Sequence, residues 1–204
     1  MFASRSFTLS LAVLLAVGLT FTLPIFAQET LYDNGPDGNV GYDRVNFGAA
    51  VSNSFTLTRS ATVTSVNVTL YSVDDRNPPL SVKWTITTEA FGGEVKGEGF
   101  VNLDRLRAPY LTRFQFFAWP MGFGIPDIAL PAGTYYLQIQ DVVTRWDSYS
   151  FWAQSSDGTA QGYYKPIGGN GAGGISEVPS ESFSVLGQWI SAQTPQARRQ
   201  TANR

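Results

Sequence analysis

The chain has 204 residues, and its 16 acidic and 14 basic side chains leave a formal net charge of −2 at pH 7. It contains no histidine and no cysteine, which excludes Ser-His-Asp and Cys-His catalysis, disulfide bonds and the usual zinc sites. No basic stripe with interleaved aromatic residues is present, so nucleic-acid binding is disfavoured.

The first 27 residues have the order of a secretory signal peptide. Arg5 supplies a positive charge, Leu9–Phe26 is mostly apolar, and the small residue Ala27 precedes polar Gln28. The alternative is an uncleaved membrane anchor, although the run is near the lower length limit for a spanning helix. We therefore predict export after cleavage, to a periplasmic or extracellular (secreted) location. No later segment is predicted to be transmembrane, and the lack of cysteine in such a domain favours a bacterial source.

From Val51 onward the apolar residues recur with a period of two, which predicts β-strands with one buried face. The predicted strands cover 51–58, 61–70, 81–87, 94–101, 113–119, 135–139, 149–153 and 182–186. Turn residues separate these segments and no helical period intervenes. The pattern predicts a single all-β domain over 28–187, an antiparallel β-sandwich or jelly roll.

Several details of the strand pattern are specific enough to check. The alternation slips at Ser65, which predicts a β-bulge, and parity places Trp84 in the core. Pro131 and Gly133 suit a tight turn before the strand that begins at Tyr135. The segment 113–119 is aromatic on both faces and is interpreted as a central strand. Residues 33–48 and 162–179 are expected to be irregular, and 188–204 a disordered polar and basic tail.

The catalytic groups that remain are carboxylates, lysine, serine and tyrosine. A glycosidase needs two carboxyl groups about 5–10 Å apart, and Glu89, Glu94 and Glu98 are the candidates on a strand. Glu94 and Glu98 would share a face if no bulge intervened. The alternative, which we favour, is that they are solvated strand residues beside Lys96.

A calcium site is the one metal centre that the composition permits. The loop Asp33-Asn34-Gly35-Pro36-Asp37-Gly38 brings together the carboxylates of Asp33 and Asp37, and hard cations bind oxygen ligands. The loop fails as an EF-hand because Gly35 and Arg44 occupy ligand positions. Asn, Asp and Gly are also ordinary turn formers, so a plain turn is the alternative. No other cofactor is expected.

Aromatic residues near the predicted loops are the candidate ligand-binding groups. Trp119, Trp146, Tyr163 and Tyr164 lie in or beside loops, and exposed Trp and Tyr are frequent on binding surfaces. Flat rings of this kind can stack on sugar faces. The alternative is that these residues pack the core or fix the loops.

Four segments of the chain resemble a group of bacterial secreted proteins. These segments are Leu31–Pro36, Val51–Leu57, Leu130–Leu137 and Pro179–Phe183. They are similar to β-sandwich proteins that often carry a PEP-CTERM sorting tail, and the resemblance spans nearly the whole predicted domain. It implies an exported protein and no known chemistry. This chain lacks the Pro-Glu-Pro motif, apolar helix and basic end after Gly187, so the resemblance does not imply sorting through that tail.

These observations lead to one main functional hypothesis and two alternatives. The main hypothesis is an exported, non-catalytic β-sandwich protein that binds carbohydrate, in the form of a polysaccharide, or another cell-envelope component. The first alternative is a structural matrix or adhesion protein with protein partners. The second is a carboxylate-dependent, glycan-cleaving enzyme.

Overall fold

The alternation of apolar and polar residues folds the chain into two antiparallel sheets, because each strand buries one face. The computed structural model describes residues 28–166 and 173–191. The predicted leader and most of the predicted tail lie outside these ranges. In the described part there are strands and no helix, so no helix there is long and apolar enough to cross a membrane. The predicted all-β sandwich is confirmed.

The fourteen strands found in the described residues divide into an eight-stranded and a six-stranded sheet. The strands are β1 (Glu29–Asp33), β2 (Asp37–Arg44), β3 (Ala49–Leu57), β4 (Ala61–Ser72), β5 (Pro79–Glu89), β6 (Gly92–Asn102), β7 (Asp104–Arg105), β8 (Tyr110–Leu111), β9 (Phe117–Leu130), β10 (Gly133–Thr144), β11 (Ser150–Ser155), β12 (Gly162–Pro166), β13 (Ser176–Val178) and β14 (Phe183–Trp189). The six-stranded sheet has the order β13-β12-β3-β10-β5-β6. In the eight-stranded sheet β4 is central. It pairs with β9 along one edge and with β14 and β11 along the other. Strand β1 then pairs with β14, and strand β2 pairs with β11.

One large apolar core fills the space between the sheets. Its largest fully buried side chains include Trp84, Trp119 and Trp152. Inward residues alternate with outward ones along β10, where Tyr135, Leu137 and Ile139 are all buried. This alternation confirms the predicted core positions of Trp84 and of the β10 residues.

Two local predictions about strand geometry are also confirmed. The register of β4 against both neighbours shifts between Val63 and Ser65, where the sequence predicts a bulge. The connection at Pro131 and Ala132 is short, and it carries the chain from one sheet to the other. The Tyr135 hydroxyl donates a hydrogen bond to the Pro131 carbonyl oxygen at 3.0 Å, which fixes this corner.

A smaller apolar cluster lies on the outer face of the eight-stranded sheet. Tyr71, Ala118 and Ala153 form its buried floor, and Phe114 and Phe116 are packed against it. The prediction of a strand over 113–119 is therefore wrong for its first half. The chain turns at 113–115 and β9 begins at Phe117, so the aromatic residues before it cover a sheet instead of joining one.

Two segments that were expected to be irregular contain strands. β2 lies within 33–48, and β12 and β13 lie within 162–179. The glycine-rich residues 167–172, between β12 and β13, are outside the described part. Strand β14 also continues through Gln188 and Trp189, which pair with Thr62 and Ala61, so the paired chain extends beyond the predicted boundary at 187.

Candidate functional site

Three loops meet at one end of the sandwich. Residues 45–48 join β2 to β3, residues 73–78 join β4 to β5, and residues 145–149 join β10 to β11. Each loop crosses from one sheet to the other. Loops held by a rigid sandwich are frequent positions for binding residues.

Two buried asparagines hold these loops together. Asn46 donates to the carbonyl oxygens of Ser148 at 2.8 Å and Val142 at 3.3 Å, and its side-chain oxygen accepts from the Ser150 N–H. Asn77 donates to the Ser148 hydroxyl and accepts from the Trp146 N–H at 2.9 Å. The amide side chains supply partners for backbone groups that no strand ladder satisfies. The hydrogen bonds of Asn46 and Asn77 therefore hold the three loops in a fixed arrangement.

Aromatic side chains project from this structure into solvent. Phe47 is 48% exposed, Tyr149 is 50% exposed and Trp146 is 53% exposed, and Val73 lies beside them at 44%. We call these four side chains the loop-end surface. A shallow groove of about 340 Å³ is lined by Phe47, Val73, Tyr149 and the residues between Trp146 and Tyr149.

Two rings of the loop-end surface, those of Phe47 and Tyr149, form a corner. The centroids of Phe47 and Tyr149 are 5.3 Å apart and their planes are inclined by 81°. Phe47 has φ +50°, a left-handed conformation that bulky residues rarely adopt and that tends to occur at functional sites. One ring can therefore offer its face while the other offers its edge.

Arginines flank the loop-end surface. The Arg44 guanidinium lies 5.8 Å from the Tyr149 ring centre, and the Arg76 guanidinium lies 5.7 Å from that of Trp146. Arg76 also forms an ion pair with Asp74 at 3.2 Å. Aromatic faces bordered by polar and charged groups are typical of surfaces that bind polar ligands with an apolar face.

A second concavity, the outer groove, lies on the outer face of the eight-stranded sheet. It has a volume of about 420 Å³. The Asp33–Asp37 loop forms one wall and Leu106–Tyr110 forms the other, with Asn67, Thr69 and Ser184 among the remaining lining residues. Both aspartates of the calcium hypothesis therefore border one groove.

The Asp37 carboxylate already has three hydrogen-bond donors. The hydroxyls of Tyr71 and Tyr110 each donate to it at 2.6 Å, and the Asn39 N–H donates at 2.7 Å. Burial, together with these hydrogen bonds to Asp37, raises the pKa of both tyrosines, so both remain donors. Asp33 accepts from the Gly35 N–H at 2.9 Å, and Gly35 has φ +83°. These contacts favour the ordinary turn, and the described residues contain no metal-binding group of three or more His, Cys, Asp or Glu.

The four aromatic residues predicted as ligand-binding groups do not converge. The prediction for Trp119 is wrong: its side chain is 1% exposed and its indole N–H donates to the Ser72 hydroxyl at 2.7 Å. Tyr164 is partly buried against the main core. Tyr163 is partly exposed and packs on Tyr136 at 6.1 Å between centroids, away from the loops. Trp146 alone belongs to the loop-end surface.

Sequence reasoning missed Phe47 and Tyr149. Each follows a turn former, in Asn46-Phe47-Gly48 and in Asp147-Ser148-Tyr149. An aromatic residue inside a turn sequence cannot continue a buried strand face, so this context was the available signal. Phe47 lies within 33–48, a segment that the sequence predicts to be irregular.

The proposed glycosidase carboxylates lack the shared face that the hypothesis requires. The register of β5 against β6 shifts between Val95 and Gly97, so a bulge lies between Glu94 and Glu98. Glu94 forms an ion pair with Lys96 at 2.7 Å. Both glutamates are exposed, as expected for solvated residues of an edge strand.

Comparison of the chain with models of protein families and with curated proteins found no match.

Proposed function

We propose that this chain is an exported, non-catalytic protein that binds carbohydrate through the loop-end surface. The observation that carries the proposal is the exposure of three aromatic rings on loops that two buried asparagines hold in place. A preorganised aromatic surface loses little conformational entropy on binding. The signal-peptide pattern of residues 1–27 supports export.

The ring geometry favours one form of carbohydrate over another. A flat polysaccharide surface would need rings that lie in one plane, whereas the planes of Phe47 and Tyr149 are nearly perpendicular. A corner of this kind suits one pyranose ring of a soluble chain or a chain end. The nearby groups of Asp147, Ser148 and Arg44 could bind its hydroxyls.

Isothermal titration of the mature domain against a panel of soluble polysaccharides tests the proposal. We expect binding to at least one glycan and a loss of at least about tenfold in affinity for the double variant Trp146→Ala/Tyr149→Ala, because stacking of an aromatic ring is worth about 1 kcal/mol or more. The matched control is Tyr136→Ala/Tyr163→Ala, which removes two aromatic rings elsewhere on the surface.

The control should bind as the wild type does, and circular dichroism should show that both double variants keep the β-sheet spectrum. Absence of heat with every glycan at high protein concentration would contradict carbohydrate binding. A loss of affinity in the control alone would move the site to the outer face of the six-stranded sheet.

A second candidate function is adhesion through a protein partner. The observation in its favour is the apolar lining of the loop-end groove, in which Phe47, Val73 and Tyr149 are three of five residues. A pull-down from envelope extract with the wild type and the Trp146→Ala/Tyr149→Ala variant separates the two functions. A protein retained by the wild type alone, without glycan binding, would favour adhesion.

A further inference from the structure

Glu181 is a fully buried acidic residue at the junction of β11 and β14. Its relative exposure is 0%, and it forms an isolated β-bridge with Gln154. Its backbone N–H donates to the Asn53 side-chain oxygen at 3.0 Å, and its carbonyl oxygen accepts from the Asn34 amide. The backbone is therefore fixed from β3 and from the loop after β1, so the side chain is held inside.

Gln154 links Glu181 to a second acidic residue. Its backbone forms the bridge with Glu181, and its side-chain amide donates to the Asp43 carboxylate on β2 at 2.9 Å, which places Asp43 beside Glu181. Neither Glu181 oxygen receives a hydrogen bond from a donor group. The ion pairs among the described residues involve Arg76 and Lys96, so none of them neutralises Glu181.

The groups around Glu181 make its ionised form unfavourable. The titratable ones are Asp43 and Asp37 on β2 and Tyr71 on β4, and the others are the neutral side chains of Asn34, Asn53 and Gln154. Burial, followed by the charge and hydrogen bonding of Asp43 and the charge of Asp37, raises the pKa of Glu181 well above its usual range. Two carboxylates in contact inside a protein cannot both ionise without a large penalty.

We propose that Glu181 keeps its proton at neutral pH and donates it to Asp43, so that the two groups form a pH-sensitive latch. The latch joins the segment just before β14 to β2, which pairs with β11 alone among the described strands and lies at the edge of its sheet. Loss of the proton places two negative charges in contact and releases this edge. Because β2 leads directly into the loop that carries Phe47, the latch also supports the loop-end surface. The latch itself does not depend on any glycan being bound.

The pH dependence follows from proton binding in the two states. The unfolded chain releases the Glu181 proton near the ordinary glutamate pKa of about 4.3, whereas the folded chain retains it to a higher pH. The group therefore contributes its full stability below the unfolded pKa. That contribution falls as the pH rises towards the folded pKa, by up to tenfold in the unfolding equilibrium constant per pH unit.

Urea unfolding of the mature domain between about pH 5 and pH 9 tests the latch. Glu181→Gln replaces the acid by a neutral amide that can still donate to Asp43. We expect the wild type to lose stability relative to this variant as the pH rises, by up to tenfold in the unfolding equilibrium constant per pH unit. Glu98→Gln, on the exposed edge strand, is the matched control and should follow the wild type.

Infrared spectroscopy supplies a test that does not require the variant to fold. The wild type at neutral pH should show the C=O stretch of a protonated carboxylic acid, and labelling glutamate with carbon-13 should shift that band. Absence of the band, or the same pH dependence in wild type and Glu181→Gln, would overturn the proposal. Stabilisation of the wild type but not of Glu181→Gln by added calcium would also overturn it, because a cation would then occupy the position of the proton.

Discussion

At the scale of single residues, the position at which a strand begins decides which of its aromatic side chains point to the core and which to solvent. The sequence predicts one strand over the aromatic segment 113–119, which places Trp119 at its end, beside a loop. The strand in fact begins at Phe117, and from there Trp119, Met121 and Phe123 all point into the core. The alternation of these three residues was present in the sequence. What concealed it was the neighbouring aromatic cluster, which packs on the outside of the sheet.

The buried Asn77 side chain provides a residue-scale prediction. Asn77→Ala removes the partners of the Trp146 N–H and the Ser148 hydroxyl in the loop cluster. We expect a loss of about 1–3 kcal/mol in the free energy of unfolding, because polar groups would be left without partners, and weaker glycan binding. Urea unfolding and isothermal titration measure the two effects. Asn102→Ala, at an exposed position on β6, is the control, and an equal effect in both variants would contradict the role assigned to Asn77.

The structural roles of Asn46 and Asn77 could not be predicted from the sequence. Asparagine beside Phe47 or Pro78 is an ordinary turn signal. Its burial follows from the convergence of loops that are far apart in the chain, as in the hydrogen bond between Asn46 and Ser148, which are 102 residues apart. Local pattern contains no information about such contacts.

At the scale of elements, period-two alternation identified the strands that have apolar inner faces. It missed β2, whose sequence Asp-Gly-Asn-Val-Gly-Tyr-Asp-Arg does not alternate in hydropathy. The reason is physical: near Glu181 and Gln154 this edge strand contributes Gly41 and Asp43 in place of apolar residues. A strand whose inward side chains make polar contacts lacks the alternation of apolar and polar residues, so the sequence pattern does not predict it.

The bulge of β4 provides an element-scale prediction. A Cβ atom at Gly187 would overlap the Thr62 carbonyl oxygen of the neighbouring strand and lie 2.9 Å from the Leu31 side chain. Backbone atoms cannot move aside as a side chain can, so we expect Gly187→Ala to lower the free energy of unfolding by about 1–3 kcal/mol or more. Thermal or urea unfolding measures this change.

Gly124→Ala is the matched control for the bulge. Gly124 also pairs with β4 at the bulge, opposite Ser65, but no atom lies within 4 Å of the position of its Cβ. This variant should be as stable as the wild type or slightly more stable, since alanine loses less backbone entropy than glycine. Equal destabilisation of the two variants would argue against close packing of β14 on β4.

At the scale of the whole molecule, the sandwich brings together groups that no local pattern connects. The fold class followed from the strand pattern and the absence of helical periods. The loop-end surface did not, because Phe47, Val73 and Tyr149 lie on three separate loops that meet only when both sheets are assembled. The proposed pairing of Glu181 with Asp43 likewise joins distant parts of the chain, through Gln154.

Nuclear magnetic resonance of the tryptophan indole N–H groups, during titration with the polysaccharide that binds most tightly, tests most directly where the glycan binds. We predict a shift of the Trp146 signal, with the signals of buried Trp84, Trp119 and Trp152 unchanged. Saturation of binding with no change at Trp146 would contradict a glycan site at the loop end of the sandwich.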